Sequence, residues 1–235
     1  MKKEQIMLLS APNNGSDWLV ETILESQENL SYYREFFNPI TNEEYMDDLK
    51  SSFGCENEFF SKIATLNENM CEKTYCNTWQ KETYNFTKEN YSAYKVSFFA
   101  QKFKCFALIR DVKNSFPPSR DEVYNWYNAI YKSMIGANHK KLIDFMNSNF
   151  SFDEKMALAY VAYQNVLIEE CQKNNIPILK WENLMLDYST TLNELKKVSF
   201  LDTENWAKTL ISKRKFTEKI FEHDELIKKF QMSLI

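Results

Sequence analysis

The chain has 235 residues, 44% of them hydrophobic, and a formal net charge of −4 at pH 7. That length suits one α/β domain, or one domain with a sizeable insertion, and the apolar fraction supports a real core rather than disorder. Acids and bases are mixed along the chain, unlike the basic footprint of a general nucleic-acid binder, although a local cationic site for a small anion is compatible with any net charge.

The first element is the apolar run Ile6–Leu9. Four residues are too few for a signal peptide or a membrane span, and no later stretch is long enough, so a cytoplasmic protein with no membrane partner is expected. The five cysteines (Cys55, Cys71, Cys76, Cys105 and Cys171) are odd in number and lack CxxC spacing, which reads as reduced, mostly structural thiols. Glycine is scarce, with 3 residues against about sixteen at average usage. Gly15 follows the first strand and precedes a helical pattern, Trp18, Leu19, Thr22, Ile23, where the backbone must turn sharply and leave room for a ligand.

Leu30–Phe36 reads as the next strand, stopped by Asn38-Pro39. Residues 42–91 read as several short helices, acidic and aromatic, forming a mainly helical insertion within a single domain. Lys95–Phe99 suggests a strand or strand end, and Cys105–Ile109 a fully buried parallel strand. Pro117-Pro118 breaks the chain before a helical pattern over Glu122–Ile135. The clearest helix is Asp153–Lys173, capped by Ser151 or Asp153, with Met156, Tyr160, Tyr163, Val166 and Leu167 on one face. Asn174-Asn175 ends it, Ile176–Trp181 gives a short buried strand, and two or three short helices finish the chain. This alternation predicts an α/β protein with a mainly parallel sheet.

Two segments carry chemistry. In Ser10-Ala-Pro-Asn-Asn-Gly-Ser-Asp-Trp-Leu19 a loop between strand and helix aims several backbone N–H groups at one point, and the helix dipole favours an anion there. Ser16 adds a hydroxyl donor. The Gly-Lys-Ser/Thr ending of a Walker A loop is missing, and the plainer alternative is an ordinary turn with Asp17 as cap. In Phe106-Ala-Leu-Ile-Arg-Asp-Val-Lys-Asn-Ser115, followed by Ser119, an arginine stands at the carboxyl end of a strand, in the ligand crevice of an open α/β sheet. Its planar fork suits a phosphate; the alternative is a surface pair of Arg110 with Asp111.

Together these segments, strand, Pro-x-x-Gly-Ser-x-Trp-Leu, helix, and later an apolar strand ending in Arg-Asp-x-Lys, resemble the sulfotransferases that use 3′-phosphoadenosine 5′-phosphosulfate (PAPS). Ile178-Leu-Lys-Trp-Glu-Asn-Leu184, with Thr190-Thr-Leu-Asn-Glu-Leu195 after it, is similar to that family's strand ending in Tyr-Glu-Asp-Leu and its following helix. Ser212-Lys-Arg-Lys215 is similar to its basic C-terminal segment. The resemblance implies a three-layer sandwich around a central, mainly parallel sheet, the P-loop-like sulfotransferase fold. It implies that Pro12, Asn13, Asn14, Gly15, Ser16, Asp17 and Trp18 hold the 5′-phosphosulfate of PAPS. Arg110 and Ser119 would hold the 3′-phosphate, closed over by Lys213, Arg214 and Lys215. No metal is required.

The chain departs from the family at informative places. Asn13 stands where a Lys or Arg normally neutralises the phosphosulfate, and a lost donor of that kind costs a few kcal/mol of transition-state stabilisation. Asp17 replaces a frequent Thr, and Ser119 falls one residue beyond the family spacing. His139 and His223 lie near no motif. The candidate base is Glu35 in Tyr33-Arg-Glu-Phe-Phe-Asn38, similar to the Glu-x-Phe segment of bacterial trehalose-type sulfotransferases. Its aromatic flanks are expected to raise its pKa by desolvation; the alternative is a salt bridge with Arg34. Lys95 is the candidate replacement for the missing loop cation. Tyr75, Trp79, Tyr84, Phe86, Tyr91 and Tyr94 either line an acceptor pocket or fill the core. The expectation is sulfonate transfer to a hydroxyl or amine of a small-molecule or glycan acceptor. The alternatives are a sulfotransferase-fold protein that binds a nucleotide or partner without transfer, and a P-loop kinase.

Overall fold

The computed structural model describes residues 5–12, 14–35, 84–90, 93–111, 130, 149 and 151–213. The chain enters through β1 (Ile6–Ser10), all five residues of which are buried, as befits a strand covered on both faces. The turn at Gly15 leads to α1 (Ser16–Ser26) and then β2 (Tyr32–Arg34). Next come β3 (Phe86–Glu89), a 3-10 turn over Ala93–Lys95, α2 (Val96–Ala100) and β4 (Lys104–Ile109). Beyond them lie α3 (Phe152–Lys173), β5 (Ile178–Lys180), α4 (Trp181–Leu184), α5 (Tyr188–Leu195) and α6 (Thr203–Ser212).

The five strands form one sheet in the order β2-β3-β1-β4-β5, and every pairing is parallel. Leu8 lies opposite both Lys88 and Phe106, so these side chains share a face. That face carries Ile6, Leu8, Phe86, Phe106, Leu108 and Leu179 into one core with Leu19, Val20 and Ile23 of α1, Leu195 of α5 and Trp206 and Leu210 of α6. The buried indole N–H of Trp206 donates to Thr22 Oγ1 at 3.0 Å, which satisfies its polar tip and ties α6 to α1. Met7, Leu9, Cys105 and Ala107 point to the other face and are equally buried. There the Cys105 thiol lies beside Cys171 of α3; both are free, and burial pushes Cys105 well above the ordinary thiol range and Cys171 to about 12. Helices thus cover both faces of an all-parallel sheet.

α3 begins with a capping box: Ser151 Oγ accepts from the Glu154 N–H at 3.3 Å, and Glu154 Oε2 accepts from the Ser151 N–H at 2.7 Å. It is more buried than one apolar stripe implies, since residues 157–164 are all buried. Asn175, at φ 54°, takes the left-handed conformation that ends it.

Two expectations are corrected. Residues 86–89, inside the expected helical insertion, form β3 between β2 and β1. Phe-Thr-Lys-Glu has no apolar alternation, so its periodicity gives no strand signal, and all four residues are nevertheless buried. Lys95–Phe99 is not extended: it spans the end of the 3-10 turn and most of α2. β3 and β4 run parallel, so the chain between them must return from the carboxyl to the amino edge of the sheet, which a helical crossover accomplishes. The expected helices over 42–83 lie outside the described residues, as does the pattern over Glu122–Ile135 apart from helical Ile130. No described helix is long and apolar enough to cross a membrane.

Candidate functional site

The loop after β1 is held from within. Asn14, fully buried, donates from Nδ2 to the Leu108 carbonyl at 2.8 Å and accepts the Ser16 N–H on Oδ1 at 3.2 Å, which pins the loop to β4. Gly15, at φ 92°, is the N-cap residue of α1. A Cβ there would clash with the Trp181 ring, so both backbone conformation and close approach require glycine. Helix α1 therefore starts without a side-chain cap. The cap role considered for Asp17 is corrected: Asp17 lies inside the first turn, and its Oδ1 is 2.5 Å from Lys88 Nζ.

Lys88 is the centre of the site. Its side chain is 0% exposed, and its ammonium lies between Asp17 and Glu35, with Glu35 Oε1 at 2.9 Å. Buried charges of this kind persist only when paired. Glu35 continues the ladder beyond β2, its N–H donating to the Lys88 carbonyl at 3.1 Å, and it holds a strained φ of 42°. Asn90 fixes the arrangement. Its Oδ1 accepts from Ser10 Oγ and, at 3.3 Å, from Ser16 Oγ, so its amide Nδ2 faces Glu35 and donates to Oε1 at 2.6 Å. Its carbonyl accepts from the Tyr163 hydroxyl at 3.0 Å. The ends of β1, β2 and β3 thus meet the amino end of α1 in one buried polar network.

Arg110 follows β4. Gln164 of α3 clamps its backbone, accepting from the N–H at 3.0 Å and donating to the carbonyl at 2.8 Å. The guanidinium lies over the Trp181 ring, 4.7 Å from its centroid, and Trp18 meets the same ring edge-on at 5.0 Å. Trp181 therefore connects the Gly15 turn to Arg110. Arg110 Nε is buried and has no hydrogen-bond partner among the described residues. Burial pushes the guanidinium below its ordinary pKa, opposed by Tyr160 and Glu182, yet an arginine stays charged. A cationic fork with an unmet donor suits an anionic oxygen.

The structure brings Gly15, Ser16, Asp17 and Glu35 together, and joins Arg110 to them through Trp181 and Trp18. Pro12 and Asn14 are buried loop supports. Glu35 pairs with Lys88, while the side chain of Arg34, the alternative partner, lies outside the described residues. Lys95 sits half-buried in the 3-10 turn leading to α2 rather than at a strand end, and Lys88 lies within β3. Lys213 stands just after α6. Its ammonium pairs with Glu25 in the last turn of α1, about 15 Å along the helix from Gly15. Asn13, Ser119, Arg214, Lys215, His139 and His223 lie outside the described residues. Phe86 fills the core against Tyr32, and Tyr84 and Tyr94 meet Tyr33 and Tyr163, while Tyr75, Trp79 and Tyr91 lie outside the described residues. Among the described residues, no group of three or more His, Cys, Asp or Glu is placed to hold a metal ion.

Lys88, Asn90, Ser10 and Gln164 were not legible as functional. A lysine between Thr87 and Glu89 reads as a solvated face; the only hint is the β-forming pair Phe86-Thr87 before it. Fold and site together define an all-parallel α/β protein with a buried charged cluster at the carboxyl ends of its strands. No family model and no curated protein matches the chain.

Proposed function

We propose that this chain is a PAPS-dependent sulfotransferase, transferring a sulfonate group to a hydroxyl or amine of a small-molecule or glycan acceptor. The observation that carries the reading is the buried Lys88–Glu35 pair, 2.9 Å apart at the amino end of α1. It sets a cation and a base beside a helix terminus suited to an anion. Lys88 takes the part of the missing loop cation and neutralises charge that develops on the phosphosulfate. Glu35 accepts the acceptor's proton as the acceptor oxygen attacks sulfur. The sulfur–oxygen bond to the 5′-phosphate breaks, and 3′-phosphoadenosine 5′-phosphate leaves. Arg110, whose buried Nε has no hydrogen-bond partner among the described residues, holds the 3′-phosphate. The sheet order, the glycine turn and the sequence resemblance all support the same reading.

The test is turnover of PAPS with a broad acceptor panel, beside calorimetric binding of 3′-phosphoadenosine 5′-phosphate. Glu35→Gln is expected to lower turnover at least about 100-fold while leaving nucleotide affinity within a few-fold; unchanged turnover would remove Glu35 as the base. A second reading, nucleotide binding without transfer, is favoured by the two carboxylates that already neutralise Lys88. Tight binding of both nucleotides with no turnover on any acceptor selects it.

A further inference from the structure

Lys88 offers one positive charge, and two carboxylates already share it. They are not equivalent. Glu35 is 2% exposed, is held by Asn90 as well as Lys88, and continues the sheet ladder through its own N–H. Asp17 is 64% exposed in its side chain and stands in the first turn of α1, where rotation carries it into water. An anionic group arriving at that helix terminus with Asp17 in place would put three anionic groups around one ammonium. That crowding is relieved most readily at Asp17, the exposed one of the two carboxylates.

We propose that Asp17 is an internal competitor for the anionic ligand of this site. Its carboxylate occupies the position on the Lys88 ammonium that a sulfonate or phosphate oxygen takes, and it swings into solvent when that oxygen binds. This inference rests on the sulfotransferase reading for the identity of the ligand. It makes Asp17 a determinant of affinity: the loop binds its nucleotide more weakly than the same loop with a neutral residue there, and releases it more readily.

The test is isothermal titration of wild type, Asp17→Asn, Glu21→Gln and Asp17→Asn/Lys88→Gln with 3′-phosphoadenosine 5′-phosphate. Glu21 is exposed one turn further along α1, so it controls for general loss of negative charge. Asp17→Asn is expected to bind about tenfold tighter than wild type, and Glu21→Gln within about twofold of it. Adding Lys88→Gln is expected to abolish the gain. Equal gains from Asp17→Asn and Glu21→Gln, or no gain from Asp17→Asn in a protein that binds the nucleotide, overturn the competitor role and leave the sulfotransferase reading standing. Absence of binding in wild type and Asp17→Asn alike overturns that reading, and the competitor role with it. Circular dichroism of each variant establishes its fold, and the exposed Asp17 and Glu21 substitutions suffice for a decision if Lys88→Gln unfolds.

Discussion

Gly15 answers two demands at once, a positive φ and a ring against its Cα. An alanine there pays the left-handed penalty of about 1–2 kcal/mol and a steric cost of about 1–3 kcal/mol from the Trp181 ring. We therefore expect Gly15→Ala to lose about 2–5 kcal/mol of stability in urea unfolding. A loss of only about 1 kcal/mol, no more than the left-handed penalty alone, would mean that Trp181 moves freely away from the turn. Gly15 was legible because glycine is rare in this chain and this one falls between a strand and a helix. Trp181 was legible only as part of a strand ending. That its indole covers Gly15 and carries Arg110 depends on β5 lying beside β4, a neighbour relation with no local signature.

At the scale of elements, Glu194 of α5 joins the end of β5 to α4. Its carboxylate accepts from the Lys180 N–H at 2.9 Å and from Asn183 Nδ2 at 2.8 Å, and pairs with Lys197 at 2.6 Å. Burial pushes its pKa up, but Lys197, Asn183 and the Lys180 N–H together hold it below the ordinary value. A folded-state pKa below the unfolded one gives stability that is present above the ordinary carboxylate range and lost as pH falls through the folded value. Glu194→Gln is accordingly expected to cost about 1–2 kcal/mol at pH 7. The gap from wild type should close as the solution is acidified, in chemical unfolding across a pH series. A gap that stays constant into acid would show that the hydrogen bonds do not depend on the charge. The elements with strong local codes, β1, β4 and α3 with its capping box, were legible in the sequence. β3 was not, because its neighbours bury residues that its own composition marks as polar.

For the molecule as a whole, the buried polar cluster exists only when β1, β2, β3, β4 and α1 are assembled, so a ligand held there binds the folded chain and not the unfolded one. 3′-Phosphoadenosine 5′-phosphate at 100 times its Kd is expected to add about 2.7 kcal/mol of stability, read as a rise in thermal midpoint. Adenosine, which lacks both phosphates, should give no rise. Equal stabilisation by adenosine would place recognition on the base rather than on Arg110 and the α1 terminus.

The sequence by itself determined the alternation of strands and helices, the glycine turn, the capped α3 and the arginine after a buried strand. Each of these is written within a few consecutive residues, in periodicity or turn chemistry. Only the tertiary structure decided that Lys88 is buried between Glu35 and Asp17 at the ends of the strands. Asp17 and Lys88 are 71 residues apart, and their meeting depends on β3 being inserted between β2 and β1 in register. Strand order and register are set by the sum of many distant burials, and no local pattern encodes them.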